Sequence, residues 1–153
     1  MKVLTGTVQR VGSLKKVSAS DTDAACADLR ITLTGGTAGV SAQAEIVVTL
    51  NTSLGSSGKT AQLIDETAAS PPVWARKSGN MYVFGPVNFL EPGRKQSPVM
   101  PPVVTGIRVF RITNVRIDGT QLPTGLAGSR QIQASVSMSS VSLSNSNQAV
   151  ASV

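Results

Sequence analysis

Apolar residues in this chain recur at every second position, in short runs separated by Gly and Pro. That period constrains the fold more than any other feature, because successive side chains of a strand point to opposite faces. Residues 131–138, Gln-Ile-Gln-Ala-Ser-Val-Ser-Met, place Ile132, Ala134, Val136 and Met138 on one face. Gln131, Gln133, Ser135 and Ser137 fall on the other, the pattern of a half-buried strand in an antiparallel sheet. Leu29, Ile31 and Leu33 alternate with Arg30, Thr32 and Thr34 until Gly35-Gly36 ends the run. Ala44, Ile46, Val48 and Leu50 form the next inward set. Met81, Val83, Val87 and Phe89 read as two short strands interrupted at Gly85-Pro86. Residues 107–117 read as a central strand whose phase slips between Val109 and Phe110, the mark of a bulge or of burial on both faces. Residues 3–11 form another strand, and after Ser139-Ser140 the apolar phase moves to Val141 and Leu143.

Turn chemistry separates these runs at residues 55–58, Pro71-Pro72, Pro92-Gly93, Pro101-Pro102 and Asp118-Gly119. One or two helical turns fit only over residues 60–66. The expected fold is therefore all-β: a single domain over residues 1–153, an antiparallel β-sandwich or jelly-roll of seven to nine short strands. A chain of 153 residues buries a sufficient core without disulfides or a metal. No stretch reaches the length of a transmembrane helix.

The chain contains no histidine, which removes the commonest general base, metal ligand and pH switch together. Serines are plentiful, but no histidine can activate them and nothing marks one serine above the others for a Ser–Lys dyad, so no enzymatic activity is expected. The string Gly55-Ser-Ser-Gly58-Lys59-Thr60 imitates the end of a phosphate-binding loop, but Ser53 stands where the first glycine of that motif belongs. A Gly/Ser hairpin loop accounts for the same residues. Asp21, Asp23 and Asp28 are weak calcium candidates without EF-hand spacing, and a solvated loop is the favoured reading of them. No cofactor is implied. Cys26 is the sole cysteine, so it forms no internal disulfide and reads as a buried small hydrophobe or an intermolecular link.

A net charge of +6 raises the question of an anionic partner. The basic residues come in pairs or alternate along one strand (Arg108, Arg111, Arg116), as loop charges and edge protection do. They form no dense stripe interleaved with aromatics, and nucleic acid is not an expected partner. Charged residues are only 14% of the chain, so the polar surface comes from Ser, Thr, Asn, Gln and Gly, as in many extracellular β proteins. Trp74 and Tyr82 are the two aromatic candidates for a sugar platform. Asn51-Thr52-Ser53 is a formal N-glycosylation tripeptide.

Several short motifs occur in a fixed order: Asp-Leu-Arg-Ile-Thr-Leu-Thr-Gly-Gly-Thr at 28–37, Leu50-Asn51-Thr52, Leu63-Ile64-Asp65-Glu66, and Phe-Arg-Ile-Thr-Asn-Val-Arg at 110–116. With the closing Gln148-Ala149-Val150-Ala151, this order resembles exported β-rich proteins abundant in acidobacterial genomes. The resemblance spans roughly residues 28–153, and Phe-Arg-Ile-Thr-Asn-Val-Arg is its most specific part. It implies export, a β-sandwich and no established enzymatic activity. The chain departs from the pattern at Leu33, where relatives often carry a cysteine before Thr-Gly-Gly, and it lacks a recognisable signal peptide. The second departure makes a processed or trimmed form the expectation.

These readings converge on a structural subunit of an extracellular or cell-surface assembly, such as a filament, pilus or matrix. Both terminal segments, 1–12 and 141–153, are strand-forming and are expected to exchange between copies of the chain. Val3, Thr5, Thr7, Val141, Leu143 and Val150 would carry that contact. The alternatives are a surface-displayed glycan-binding module and a jelly-roll viral coat protein, although Arg10, Lys15 and Lys16 make a poor genome-binding arm.

Overall fold

The computed structural model describes residues 4–56, 58, 60–68, 70–95, 104–121 and 131–152, and counts refer to those residues. Sixteen strands run in chain order: β1 (Thr5–Val11), β2 (Lys15–Lys16), β3 (Ala24–Ala25), β4 (Asp28–Thr34), β5 (Ser41–Leu50), β6 (Gln62–Asp65), β7 (Val73–Trp74) and β8 (Arg76–Ser78). There follow β9 (Met81–Leu90), β10 (Arg94–Lys95), β11 (Val104–Thr105), β12 (Arg108–Thr113), β13 (Arg116–Ile117), β14 (Gln131–Met138), β15 (Ser142–Ser144) and β16 (Asn147–Ser152). The first large sheet has the order β15-β1-β4-β12-β6-β7 and the second β2-β16-β14-β5-β9-β8, with β10-β11 and β3-β13 as two-stranded ribbons.

The fold is all-β and sandwich-like, but the expected seven to nine antiparallel strands must be corrected. Six of the sixteen strands are two residues long, too short to leave a period in the sequence. Both large sheets are mixed, because β1 runs parallel to β15 and β16 parallel to β2. Parallel neighbours need a long crossover, and these pairs join the two ends of the chain.

One hydrophobic cluster draws on both large sheets. Val8, Leu29, Ile31, Leu33, Leu63 and Ile112 come from the first sheet, and Ile46, Val48, Phe84, Ile132, Val136 and Val150 from the second. Phe89 and Phe110, one from each sheet, meet edge to face at 5.5 Å between ring centroids and 82° between planes. That geometry sets the positive ring edge against the negative face.

Three local readings change. First, β9 is one ten-residue strand, with a bulge where the register against β5 shifts between Ala44 and Ile46. The extra residue reverses which side chains face inward. Tyr82 and Phe84 are buried before the bulge and Val87 and Phe89 after it, so Met81 and Val83 are not part of the inward set. Second, residues 62–65 are a strand rather than a helical turn. Leu63 points into the core while β12 supplies the ladder partners, and such pairing overrides the weak helical preference of four residues. Third, β12 is regular through Val109 and Phe110, and the break comes at Asn114, whose φ of 59° ends the strand. Asn tolerates that left-handed conformation better than most residues.

Candidate functional site

The most specific motif, residues 110–116, serves the fold. Phe110 and Ile112 fill the core from β12, and Val115 does so beyond the break. Between them Arg111 grips Asp28 Oδ2 through Nε at 2.9 Å and Nη2 at 2.8 Å on the outer face of the first sheet. Arg30 lies directly opposite Arg111, and Glu66 bridges the two like charges at 3.1 Å and 4.0 Å. Asn114 Nδ2 donates to Thr60 O at 3.0 Å, and Arg116 Nε donates to Asn114 Oδ1 at 2.9 Å. Arg116 Nη1 also pairs with Asp23 Oδ2 at 3.3 Å. Its main chain holds Tyr82, whose hydroxyl donates to Arg116 O at 2.9 Å and accepts from Arg116 N–H at 3.1 Å. Arg111 and Arg116 thus bind carboxylates and main chain inside the domain, whereas Arg108 Nε donates to Leu90 O at 3.0 Å, at the edge of the second sheet.

The proposed calcium ligands are dispersed by the same contacts. Asp28 belongs to Arg111 and Asp23 to Arg116, while Asp21 Oδ1 accepts Asp23 N–H in a tight turn at 3.0 Å. Among the described residues no three His, Cys, Asp or Glu side chains gather as a metal site. The phosphate-loop string also has a packing explanation. A side chain at Gly55 would collide with Asp23 and Arg116, and strand β6 follows where that motif needs a helix. Cys26 is buried, and desolvation pushes its thiol up to about 12, with Arg116 opposing weakly.

Tyr82 must be withdrawn as a sugar platform, because the β9 bulge turns it fully inward. Trp74 stands 60% exposed at the edge of the first sheet, opposite Gln62. Asn51 is exposed, but its side chain continues the β14 ladder, accepting Gln133 N–H at 3.0 Å and donating to Gln131 O at 3.4 Å. Val3 lies outside the described residues. Thr5 and Thr7 sit on β1, between β4 and β15, and their hydroxyls meet Thr34 and Ser144. Val141 and Leu143 pack against the core and Val150 is buried in β16, between β14 and β2. Strands β1 and β16 are therefore interior strands of their own sheets, while β15, which carries Leu143, is an outermost one.

The open edge lies elsewhere. The outermost strands β7, β15, β2 and β8 are only two or three residues long, which blunts them against pairing. However, β8 covers β9 only over Met81, Tyr82 and Val83. From Phe84 to Leu90 no strand among the described residues pairs with the outer side of β9. Glu91 N–H donates to Val40 O at 2.8 Å, and Glu45 turns its N–H and C=O to Ser139 on the β14 side. In an antiparallel ladder such bonds alternate, so Pro86, Asn88 and Leu90 direct their main-chain groups away from β5. Leu90 O agrees, since the Arg108 guanidinium reaches it from the first sheet. Pro86, which has no N–H, occupies the kind of edge position that tolerates proline.

Two adjoining cavities open beside this edge, between β9 and the β6–β7 side of the first sheet. One of about 400 Å³ is lined by Ser41, Asp65, Phe89, Leu90 and Arg108, the other of about 180 Å³ by Leu63, Pro71, Val73, Pro86 and Phe110. Asp65, Ser70 and Asn88 line both. Asp65 Oδ1 accepts Thr67 N–H at 2.9 Å and Thr67 Oγ1 at 2.6 Å, and Asn88 Oδ1 accepts Gln43 Nε2 at 3.1 Å. The arrangement offers main-chain donors and acceptors beside a cleft with both polar and apolar walls. Sequence reasoning gave Asn88 and Leu90 no role, although a proline inside a strand pattern is an edge signal, and it named Asp65 and Arg108 without placing them at a common cleft. No family model matches the chain, and no curated protein or solved structure matches it at a significant level. No helix among the described residues is long and apolar enough to cross a membrane.

Proposed function

We propose that this chain is a non-catalytic structural subunit of an extracellular or cell-surface assembly, joined to neighbouring chains by β-strand addition at the outer edge of β9. The observation that carries the reading is the stretch from Phe84 to Leu90, where β9 has no strand on its outer side among the described residues and a cleft opens beside it. Strand addition draws its affinity from main-chain hydrogen bonds and its register from pockets for alternate side chains. A chain with only 14% charged residues suits a subunit packed among others, and the resemblance read from the motifs of residues 28–153 implies export.

Two variants of one residue test the edge. Asn88→Pro removes the outward N–H and breaks no main-chain bond to β5, whereas Asn88→Ala keeps that N–H and loses the same side-chain bond to Gln43. Electron microscopy and size-exclusion chromatography should show association for the parent and Asn88→Ala, and loss of it for Asn88→Pro at an unchanged melting temperature. Association of Asn88→Pro equal to the parent would overturn the reading, as would a parent that stays monomeric at every concentration.

Trp74 favours a second reading, a glycan-binding module, because its ring is exposed beside Gln62 on the outer face of the first sheet. Saturable retention on a glycan array that Trp74→Ala abolishes would favour it over the structural subunit.

A further inference from the structure

We propose that the partner of the β9 edge is the same edge of a second copy, running antiparallel about a two-fold axis at Asn88. This rests on the strand-addition reading and names its partner. The outward main-chain groups of the edge are Pro86 C=O, Asn88 N–H and C=O, and Leu90 N–H and C=O, with Leu90 O already accepting from Arg108 Nε at 3.0 Å. In a two-fold pairing centred on Asn88, the two copies of Asn88 exchange both of their hydrogen bonds. Leu90 then faces Pro86 of the second copy, and its N–H donates to that residue's carbonyl. The return bond, from a Pro86 N–H to Leu90 O, does not exist and is not needed, because Arg108 fills that acceptor.

The complementarity is specific. A strand of ordinary sequence would bring a second N–H to Leu90 O, on the side where the Arg108 guanidinium already donates. A strand carrying proline opposite Leu90 does not, and this edge carries its own proline in the required register. The side chains agree with the main chain. Pro86, Asn88 and Leu90 are exposed on one face, and Leu90, at 48% one of the few exposed large apolar residues, would lie against the Pro86 ring of the second copy. The contact occurs twice by symmetry. The pair is closed, because a two-fold interface uses the same patch on both partners. A larger assembly would use this pair as its unit and grow through another surface.

Disulfide trapping tests the axis. A two-fold hydrogen-bonded pair sets the two Cα atoms of residue 88 about 5.5 Å apart, within disulfide reach. Asn88→Cys should cross-link under mild oxidation to a covalent dimer of twice 15.8 kDa, and Cys26 is buried and does not compete. Gln43→Cys, one strand further from the axis on each side, places its Cα atoms about 14 Å apart and serves as the control. The Asn88→Cys dimer should form at least tenfold faster, and light scattering of the parent chain should show a dimer that dissociates on dilution. Equal trapping of the two variants overturns the two-fold pairing. Oligomers that vanish with Asn88→Pro but give no trapped pair at residue 88 overturn it as well, and leave strand addition standing. Absence of any association sensitive to Asn88→Pro removes both.

Discussion

Removing a single oxygen atom, by Tyr82→Phe, tests how the core anchors the segment beyond β12. Tyr82 is fully buried, and its hydroxyl makes a reciprocal pair with the main chain of Arg116: it accepts the N–H at 3.1 Å and donates to the C=O at 2.9 Å. After substitution the carbonyl keeps one partner, because Gly55 N–H also donates to Arg116 O at 3.0 Å. The Arg116 N–H keeps none. An orphaned donor in a poorly solvated place costs about 1–3 kcal/mol. For a chain of this length that is roughly 2–12 °C in melting temperature. Calorimetry at neutral pH reads the change directly, with circular dichroism checking that the strands persist. A melting temperature within a degree of the parent would refute the argument, since it would mean that water reaches the Arg116 N–H. The parent offers a second readout. Desolvation raises the Tyr82 pKa above the ordinary phenol range, with the Arg116 main-chain hydrogen bond opposing. Because the folded value lies above the unfolded one, the protonated phenol stabilises the fold at neutral pH and that contribution is lost as pH rises through the folded value. An ultraviolet titration of this single tyrosine should therefore turn over above the ordinary range, and return to it in denaturant.

Other outcomes follow from the same structure. Phe110→Ala, which empties one side of the ring pair with Phe89, should destabilise by about 3–5 kcal/mol in urea unfolding, the usual cost of deleting a buried aromatic. The Cys26 thiol, pushed to about 12 by burial, should resist thiol reagents until the chain unfolds. Its raised value also means that stability falls as pH climbs from about 9 towards 12, and Cys26→Ala should lose less over that window in alkaline melts. Glu66→Gln should cost roughly 0.2–1 kcal/mol, less at high salt, because half-exposed ion pairs are screened and Arg30 and Arg111 are then left opposed. Trp74→Ala should leave the melting temperature nearly unchanged, within roughly 0.5 kcal/mol, since its ring is 60% exposed.

The order of motifs acquires a physical meaning in the structure. Phe-Arg-Ile-Thr-Asn-Val-Arg carries the chain from the first sheet to the ribbon with β3: three core residues, an arginine held by Asp28 and Glu66, a left-handed turn at Asn114, then a second arginine that ties Asp23.

Period two was enough to read the strand class and most inward residues from the chain alone. In residues 28–34 and 131–138 each inward side chain alternates with a polar one, and in 44–50 only Val47 departs from that alternation, a pattern that survives any arrangement of the sheets. The absence of histidine was equally visible and bears on chemistry without reference to the fold. Local pattern could not decide what depends on a partner far along the chain. The bulge at Gly85-Pro86 exchanges Met81 and Val83 for Tyr82 and Phe84 because Glu45, forty residues away, sets the opposing register. The short strands exist only because neighbours supply their hydrogen bonds, and the parallel pairs β1–β15 and β16–β2 require both chain ends together. The open edge belongs to the same class. A strand's sequence states which side chains face inward, but whether its outer main-chain groups meet a neighbour or solvent is settled only when every other strand has taken its place.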